Sequence, residues 1–161
     1  MQYERDLKVS VLSKSETFEL VEKMRPSWPS VPKVKTFRAY EVDNDKRLLV
    51  SDEVAAVQVK EHIVPFLGRP ENLEQFPSVK VDMGAVKFVC NGAKVLRPGI
   101  VEFASFKKGD IVTVKDQAHG KTLAVGIALE DSEAAKAMAK GYVVDNLHYI
   151  SDKVWQAYKE I

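Results

Sequence analysis

Apolar and polar residues alternate over residues 7–12, which predicts a short strand. Ser13 or Ser15 then caps a helix with Phe18, Leu20, Val21 and Met24 on its apolar side and Glu16, Glu19, Glu22 and Lys23 on its wet side. Arg25-Pro26 ends it. Pro26, Pro29 and Pro32 make the following stretch an extended, stiff loop, and its Trp28 is expected to plug a core or an inter-domain joint. Residues 34–42, 47–50 and 54–59 read as three strands separated by turn chemistry at Asn44-Asp45 and Ser51-Asp52-Glu53, an antiparallel meander. Residues 63–67 read as a further strand and residues 70–76 as a short helical turn. Pro77-Ser78 is a polar, Pro-containing joint, which divides the chain into units 1–78 and 79–161.

The pattern is densest over residues 81–100. Asp82 is suited to cap a helix N-terminus, and Val86, Val89 and Cys90 recur at helical spacing with Met83 one turn earlier, which predicts one buried face. Asn91-Gly92 ends that helix and Arg97-Pro98-Gly99 is a second turn before a strand from Ile100. Gly84, Lys87 and Asn91 fall on the opposite side, at i, i+3 and i+7. Glycine inside a helix costs about 1 kcal/mol against alanine. Two readings stay open: Gly84 sits harmlessly in the first turn or under a tightly packed element, or a ligand backbone comes close, with Lys87, Lys94 and Arg97 to meet its charge. Backbone amides around Asn91, Gly92 and Ala93 are candidate donors to such a ligand.

Beyond residue 100 the strands are short: 101–103, 111–115, 122–129 and a return at Val143-Val144, with Gly126 marking a bulge or a close approach. Ser132 caps an Ala-rich helix over 133–140, closed by Gly141, and Ser151 or Asp152 caps a last helix with Val154, Trp155 and Tyr158 on one face. Short strands with helices at their ends suit a small closed or nearly closed barrel. The fold class is therefore α+β, a small N-terminal α/β unit followed by a β pseudo-barrel with flanking helices.

Composition narrows the function. The 161 residues are 45% hydrophobic and 29% charged, with a net charge of +1, as in an ordinary globular protein. Neither half is a polycation, so binding to phosphate must come from a local patch. Cys90 stands alone, which excludes an intramolecular disulfide. The charged start, residues 1–6, is not a secretory leader, and no apolar run approaches a membrane span, so a cytoplasmic protein is expected. His62, His119 and His148 are far apart and lack metal-ligand spacing; His119 reads as solvated, His148 as structural and Cys90 as a small buried hydrophobe. No phosphate loop, nucleophile elbow or dinucleotide fingerprint is present, so no catalytic residue, metal or cofactor is expected.

Asp82, Gly84, Ala85, Val86, Gly92, Ala93, Pro98, Gly99 and Ile100, together with residues 140–155, resemble the PUA domain, an RNA-binding module. A lone domain of this size before that ending resembles the malignant T-cell amplified sequence family of translation factors, in an archaeal form. The resemblance implies an RNA surface on the first helix, its glycine turn and the adjoining strand: Gly84, Lys87, Gly92, Ala93, Lys94 and Arg97, with Asn91 on the same side. It also implies a noncatalytic role in translation, with a tRNA 3′ end or small-subunit rRNA as ligand. Tyr142 and Tyr149 are candidates for stacking on bases. In eukaryotic members a protein partner is the density-regulated protein, and an equivalent for this chain is left open. The alternatives are an accessory subunit of an RNA-modification enzyme and a protein-interaction module that binds no RNA.

Overall fold

The computed structural model describes residues 7–161; the charged start discussed above lies outside them. The first sheet is a purely antiparallel meander of β1 (Lys8–Val11), β2 (Arg38–Asp43), β3 (Lys46–Val50), β4 (Ala55–Val59) and β5 (His62–Pro65), in that spatial order. Helix α1 (Lys14–Met24) starts at a full capping box: the Ser13 hydroxyl accepts from the Glu16 amide at 3.0 Å, and the Glu16 carboxylate accepts from the Ser13 amide at 3.0 Å. Its buried stripe is Thr17, Leu20, Val21 and Met24. Phe18, expected on that stripe, is 63% exposed, because it follows Thr17 by 100° around the helix; the Thr17 hydroxyl takes the inner place and accepts from the Phe37 amide at 3.2 Å. Trp28 belongs to the first core, with its indole N–H donating to the Ile63 carbonyl at 2.9 Å and its ring edge-on to Phe76 at 5.1 Å. The strand expected from residue 34 begins only at Arg38.

The second sheet contains β6 (Ser78–Val81), β7 (Val95–Leu96), β8 (Ile100–Phe103), β9 (Ile111–Asp116), β10 (Thr122–Ala128) and β11 (Tyr142–Tyr149), in the order β7-β11-β10-β9-β6-β8. Its two edge strands, β7 and β8, are joined by the three-residue turn Arg97–Gly99, which makes the sheet a nearly closed pseudo-barrel. Strand β6 was read from sequence only as a joint. It runs parallel to β9 and antiparallel to β8, and its Val79 and Val81 are fully buried. The Pro77-Ser78 turn chemistry masks a strand of only four residues.

Three short helices complete this half: α2 (Val86–Val89), α3 (Ser132–Ala137) and α4 (Lys153–Tyr158). Helix α3 is shorter than the expected 133–140 and its N-cap is Asp131, not Ser132. Ser132 is buried inside its first turn, where the hydroxyl accepts from the Phe106 amide at 3.1 Å. The chain leaves the helix at Met138, which is extended, and its methyl would stand 2.8 Å from any Cβ at Gly141, a residue at φ +118°.

Two cores fill the molecule, and the first crosses between the sheets. It gathers the meander and α1 with Ile111, Val125 and Ile127 of the second sheet and Val154 of α4, and Trp155 and Tyr158 pack against it. Phe66 carries the joint, stacked on His148 at 5.4 Å and tilted against Tyr158 at 4.5 Å. His148 is fully buried. Its Nε2 accepts from the Leu67 amide at 3.1 Å, so its Nδ1 carries the proton and donates to the Asp152 carboxylate at 2.7 Å. This histidine is structural, as its sequence context implied.

Candidate nucleic-acid interface

The Asp82 carboxylate accepts from the Ala85 amide at 2.9 Å, so the residue caps as expected, but it caps a turn at 83–85 rather than a helix. Regular helix is confined to Val86–Val89, too short to sustain one apolar face. Val89 alone is buried; Val86 and Cys90 are half-buried, and Met83, expected on the same face, is 51% exposed. Phe88 points outward at 57% exposure, with the Lys87 amine 5.2 Å from its ring centre. Burial pushes the Cys90 thiol above its ordinary pKa against the opposing pull of Lys121, so it stays protonated and inert as a nucleophile.

Gly84 is in the open. A Cβ added there would meet only the Asp82 carboxylate, at 3.4 Å, which removes the reading in which another element packs on it. It borders a groove of about 280 Å³ between α2 and the turns on either side of β7. Ala85, Phe88, Ala93, Lys94, Leu96, Pro98 and Gly99 also line it, so of the sequence-predicted residues Gly84, Ala93 and Lys94 meet there. Lys87 and Asn91 are exposed on the same helix and turn but are not part of its wall.

Two expectations change. The amides of Asn91, Gly92 and Ala93 do not point at a ligand; they donate to the Phe88, Val89 and Phe88 carbonyls at 3.1, 3.1 and 3.0 Å, closing the end of α2. The amides of Gly84 and Lys87, by contrast, have no partner among the described residues. Arg97 is a clasp: its guanidinium donates to the Ile100 and Lys136 carbonyls at 3.0 and 3.3 Å and lies over the Phe103 ring at 5.0 Å. Lys94 is the cation in the groove wall, its amine 5.4 Å from the centre of the exposed Tyr142 ring, and Lys87 is exposed on the adjoining helix.

Strand β11 supports the site from below. Asn146 donates to the Val89 and Ala93 carbonyls at 3.0 and 3.1 Å and so pins both ends of the turn. Sequence reasoning missed Asn146, and its only signal was its place within the segment carrying the family resemblance. Tyr149 is a platform rather than a stacking residue. Gly92, at φ +91°, lies on it so closely that a Cβ would stand 2.9 Å from the ring. Gly92→Ala is therefore expected to lose about 2 kcal/mol of stability, from the left-handed backbone together with the ring contact, in urea unfolding followed by tryptophan fluorescence. A loss of only a few tenths would refute the contact. Among the described residues no cluster of His, Cys, Asp and Glu could hold a metal ion, and no helix is long and apolar enough to cross a membrane.

The family model of the PUA domain matches residues 77–150, the segment that holds the groove and its supporting strand. The uncharacterised protein MJ1432 of Methanocaldococcus jannaschii is 37% identical over 127 residues, 78% of each chain. This chain belongs to the PUA-domain family. This PUA protein is also similar to translation machinery-associated protein 20 of Eremothecium gossypii, 32% identical over 66% of this chain and 63% of that one. It is similar to human malignant T-cell-amplified sequence 2, 29% identical over 79% and 72%. The crystal structure of a hypothetical protein, PH0734.1, from Pyrococcus horikoshii superposes with a TM-score of 0.77 at 28% identity, covering 93% of this chain and 99% of the other. The PUA protein thus shares both the barrel and the unit before it with an archaeal structure, and its named relatives include a translation-associated protein.

Proposed function

We propose that this PUA protein is a noncatalytic RNA-binding protein of translation, whose groove at α2 holds the unpaired 3′ end of a tRNA. The observation that carries the reading is the open groove beside Gly84, walled by small and apolar residues, with Lys94 in its wall and Lys87 exposed on the helix beside it. Exposed Phe88, Leu96 and Tyr142 offer flat apolar surface to bases, the amides of Gly84 and Lys87 offer donors, and Lys87 and Lys94 meet phosphates. The likeness to translation machinery-associated protein 20 supports the setting in translation. Small-subunit rRNA is the competing ligand of the same chemistry, and a protein of the translation apparatus is the expected partner of the unit spanning 1–78.

The test is a salt titration of binding to intact tRNA, to the same tRNA without its CCA end, and to a small-subunit rRNA fragment. Removal of CCA is expected to abolish tRNA binding. The double charge reversal Lys87→Glu/Lys94→Glu is expected to weaken binding more than about tenfold and to reduce the slope of log K against log[salt] by about 1.4, two single-strand phosphate contacts. Equal affinity for tRNA with and without CCA would sink the 3′-end reading. A double variant that binds like the parent would sink the groove itself.

A further inference from the structure

A second concavity, larger than the PUA groove, lies elsewhere on the molecule. It is an open trough of about 1140 Å³ in the first unit, between α1 and the loop 31–36. Its volume exceeds the usual range of a small-molecule pocket. Val21, Val31 and Val34 form its apolar floor with Pro32, and Phe18 stands in it with 63% of its surface exposed. An aromatic ring exposed beside a buried stripe is a strong anchor for a partner side chain.

Charge and backbone point to the occupant. Lys14, Lys33 and Lys35 line the trough and make no ion pair among the described residues. Arg25 also lines it and is tied to Glu22, while Glu53 is the one acidic residue in the wall. The lining carries four basic side chains against one acidic, although the whole chain is almost neutral. The loop itself is unpaired: the amides of Lys33, Val34 and Lys35, and the carbonyls of these residues, have no hydrogen-bond partner among the described residues. Exposed backbone in an irregular segment with no Gly is a template for a second extended chain, which would take main-chain bonds from it and place alternate side chains into the trough.

We propose that this trough binds an extended acidic segment of a partner protein, with a large apolar side chain packed on Phe18 and carboxylates facing Lys14, Lys33 and Lys35. An apolar floor with one aromatic ring fits a peptide better than RNA, which asks for a run of stacking faces along a cationic track. The trough belongs to the first unit and is separate from the PUA groove, so the proposal stands or falls independently of RNA binding there.

The probe is a short acetylated peptide in which glutamate alternates with phenylalanine and valine. Controls are the same peptide with lysine in place of glutamate, an all-glutamate peptide, and oligouridylate. Binding to the full chain is read from backbone amide shifts and from peptide anisotropy. The acidic-apolar peptide is expected to shift the amides of Lys33, Val34 and Lys35 and to bind at least about tenfold more tightly than either control peptide. Lys33→Glu/Lys35→Glu should remove that preference, and Phe18→Ser should weaken binding while leaving the all-glutamate peptide unaffected. These side chains are exposed, so the remaining amide shifts should stay in place. Equal binding of the glutamate and lysine peptides, no shift in the 31–36 loop up to millimolar peptide, or displacement of the peptide by oligouridylate would each overturn the proposal.

Discussion

Gly126→Ala is expected to destabilise the protein by about 3 kcal/mol or more, and to leave a fraction of the chain unfolded at ordinary temperature. The reason is close approach, not conformational freedom. A Cβ at position 126 would lie 1.9 Å from the Asp145 carbonyl oxygen and 2.8 Å from its carbon. Those are backbone atoms of the neighbouring strand, so no side-chain rotation relieves the clash. Strand β11 is held on both sides of that point, by Val125 paired with His148 and Ile127 paired with Asp145. The register shifts between Val125 and Gly126, so that Gly126 pairs with Asn146 and Leu147 is the extra residue on β11. That bulge sets the strand face on which Asn146 reaches the Val89 and Ala93 carbonyls. Denaturant unfolding measures the loss, and a surviving variant should also show shifted amides at 88–94. A variant within about 1 kcal/mol of the parent would mean that the strands are free to part at this point.

The second large effect is expected at Asp152. Its carboxylate accepts from the His148 imidazole, the Tyr149 amide at 2.9 Å and the Trp155 amide at 2.8 Å. Asp152→Ala orphans all three donors in a nearly dry site and should cost about 3 kcal/mol. It also removes the N-cap of α4 and frees the imidazole that receives the Leu67 amide. Burial by itself would push the Asp152 carboxyl up, but the bonds from His148, Trp155 and Tyr149 outweigh it and hold the group below its ordinary pKa. A carboxyl with a depressed folded-state pKa stabilises the protein above its unfolded value, about 3.9, and that contribution is lost as the pH falls through the folded value. Unfolding free energies of parent and variant, measured from neutral pH downwards, should therefore converge below about pH 4. Parallel curves across that range would show that the Asp152 charge plays no part.

The elements with several turns or a long alternation were legible in the sequence. A Ser13 or Ser15 cap and the apolar side Leu20, Val21 and Met24 announce α1, the meander follows from its turn residues, and the chemistry of Gly126 and His148 points to a close approach and a structural role. What escaped has a common cause: the element is too short for periodicity to set a face. Strand β6 has four residues beside a proline; α2 has one turn, so Met83 and Phe88 face outward although the spacing groups Met83 with the core. At the candidate site, residue identity located the groove through Gly84, Ala93 and Lys94, but not the direction of its donors. The amides of 91–93 turn inward because the end of α2 needs them, and Arg97 is spent on two carbonyls. Asn146 was invisible for the same reason that it matters: it acts across 53 residues of chain, on a carbonyl that no local pattern reveals.

The core shared by the first sheet and the last helix has a consequence for biosynthesis. Leu48, Phe66 and their neighbours lack their full cover until Val154, Trp155 and Tyr158 arrive, at the far end of the sequence. A chain synthesised only as far as β5 therefore lacks α4, which lies almost ninety residues further on and covers part of the apolar face of that sheet. The first sheet cannot bury its whole core until α4 has been made, and a chain stalled or cut before α4 presents apolar surface that the folded protein conceals.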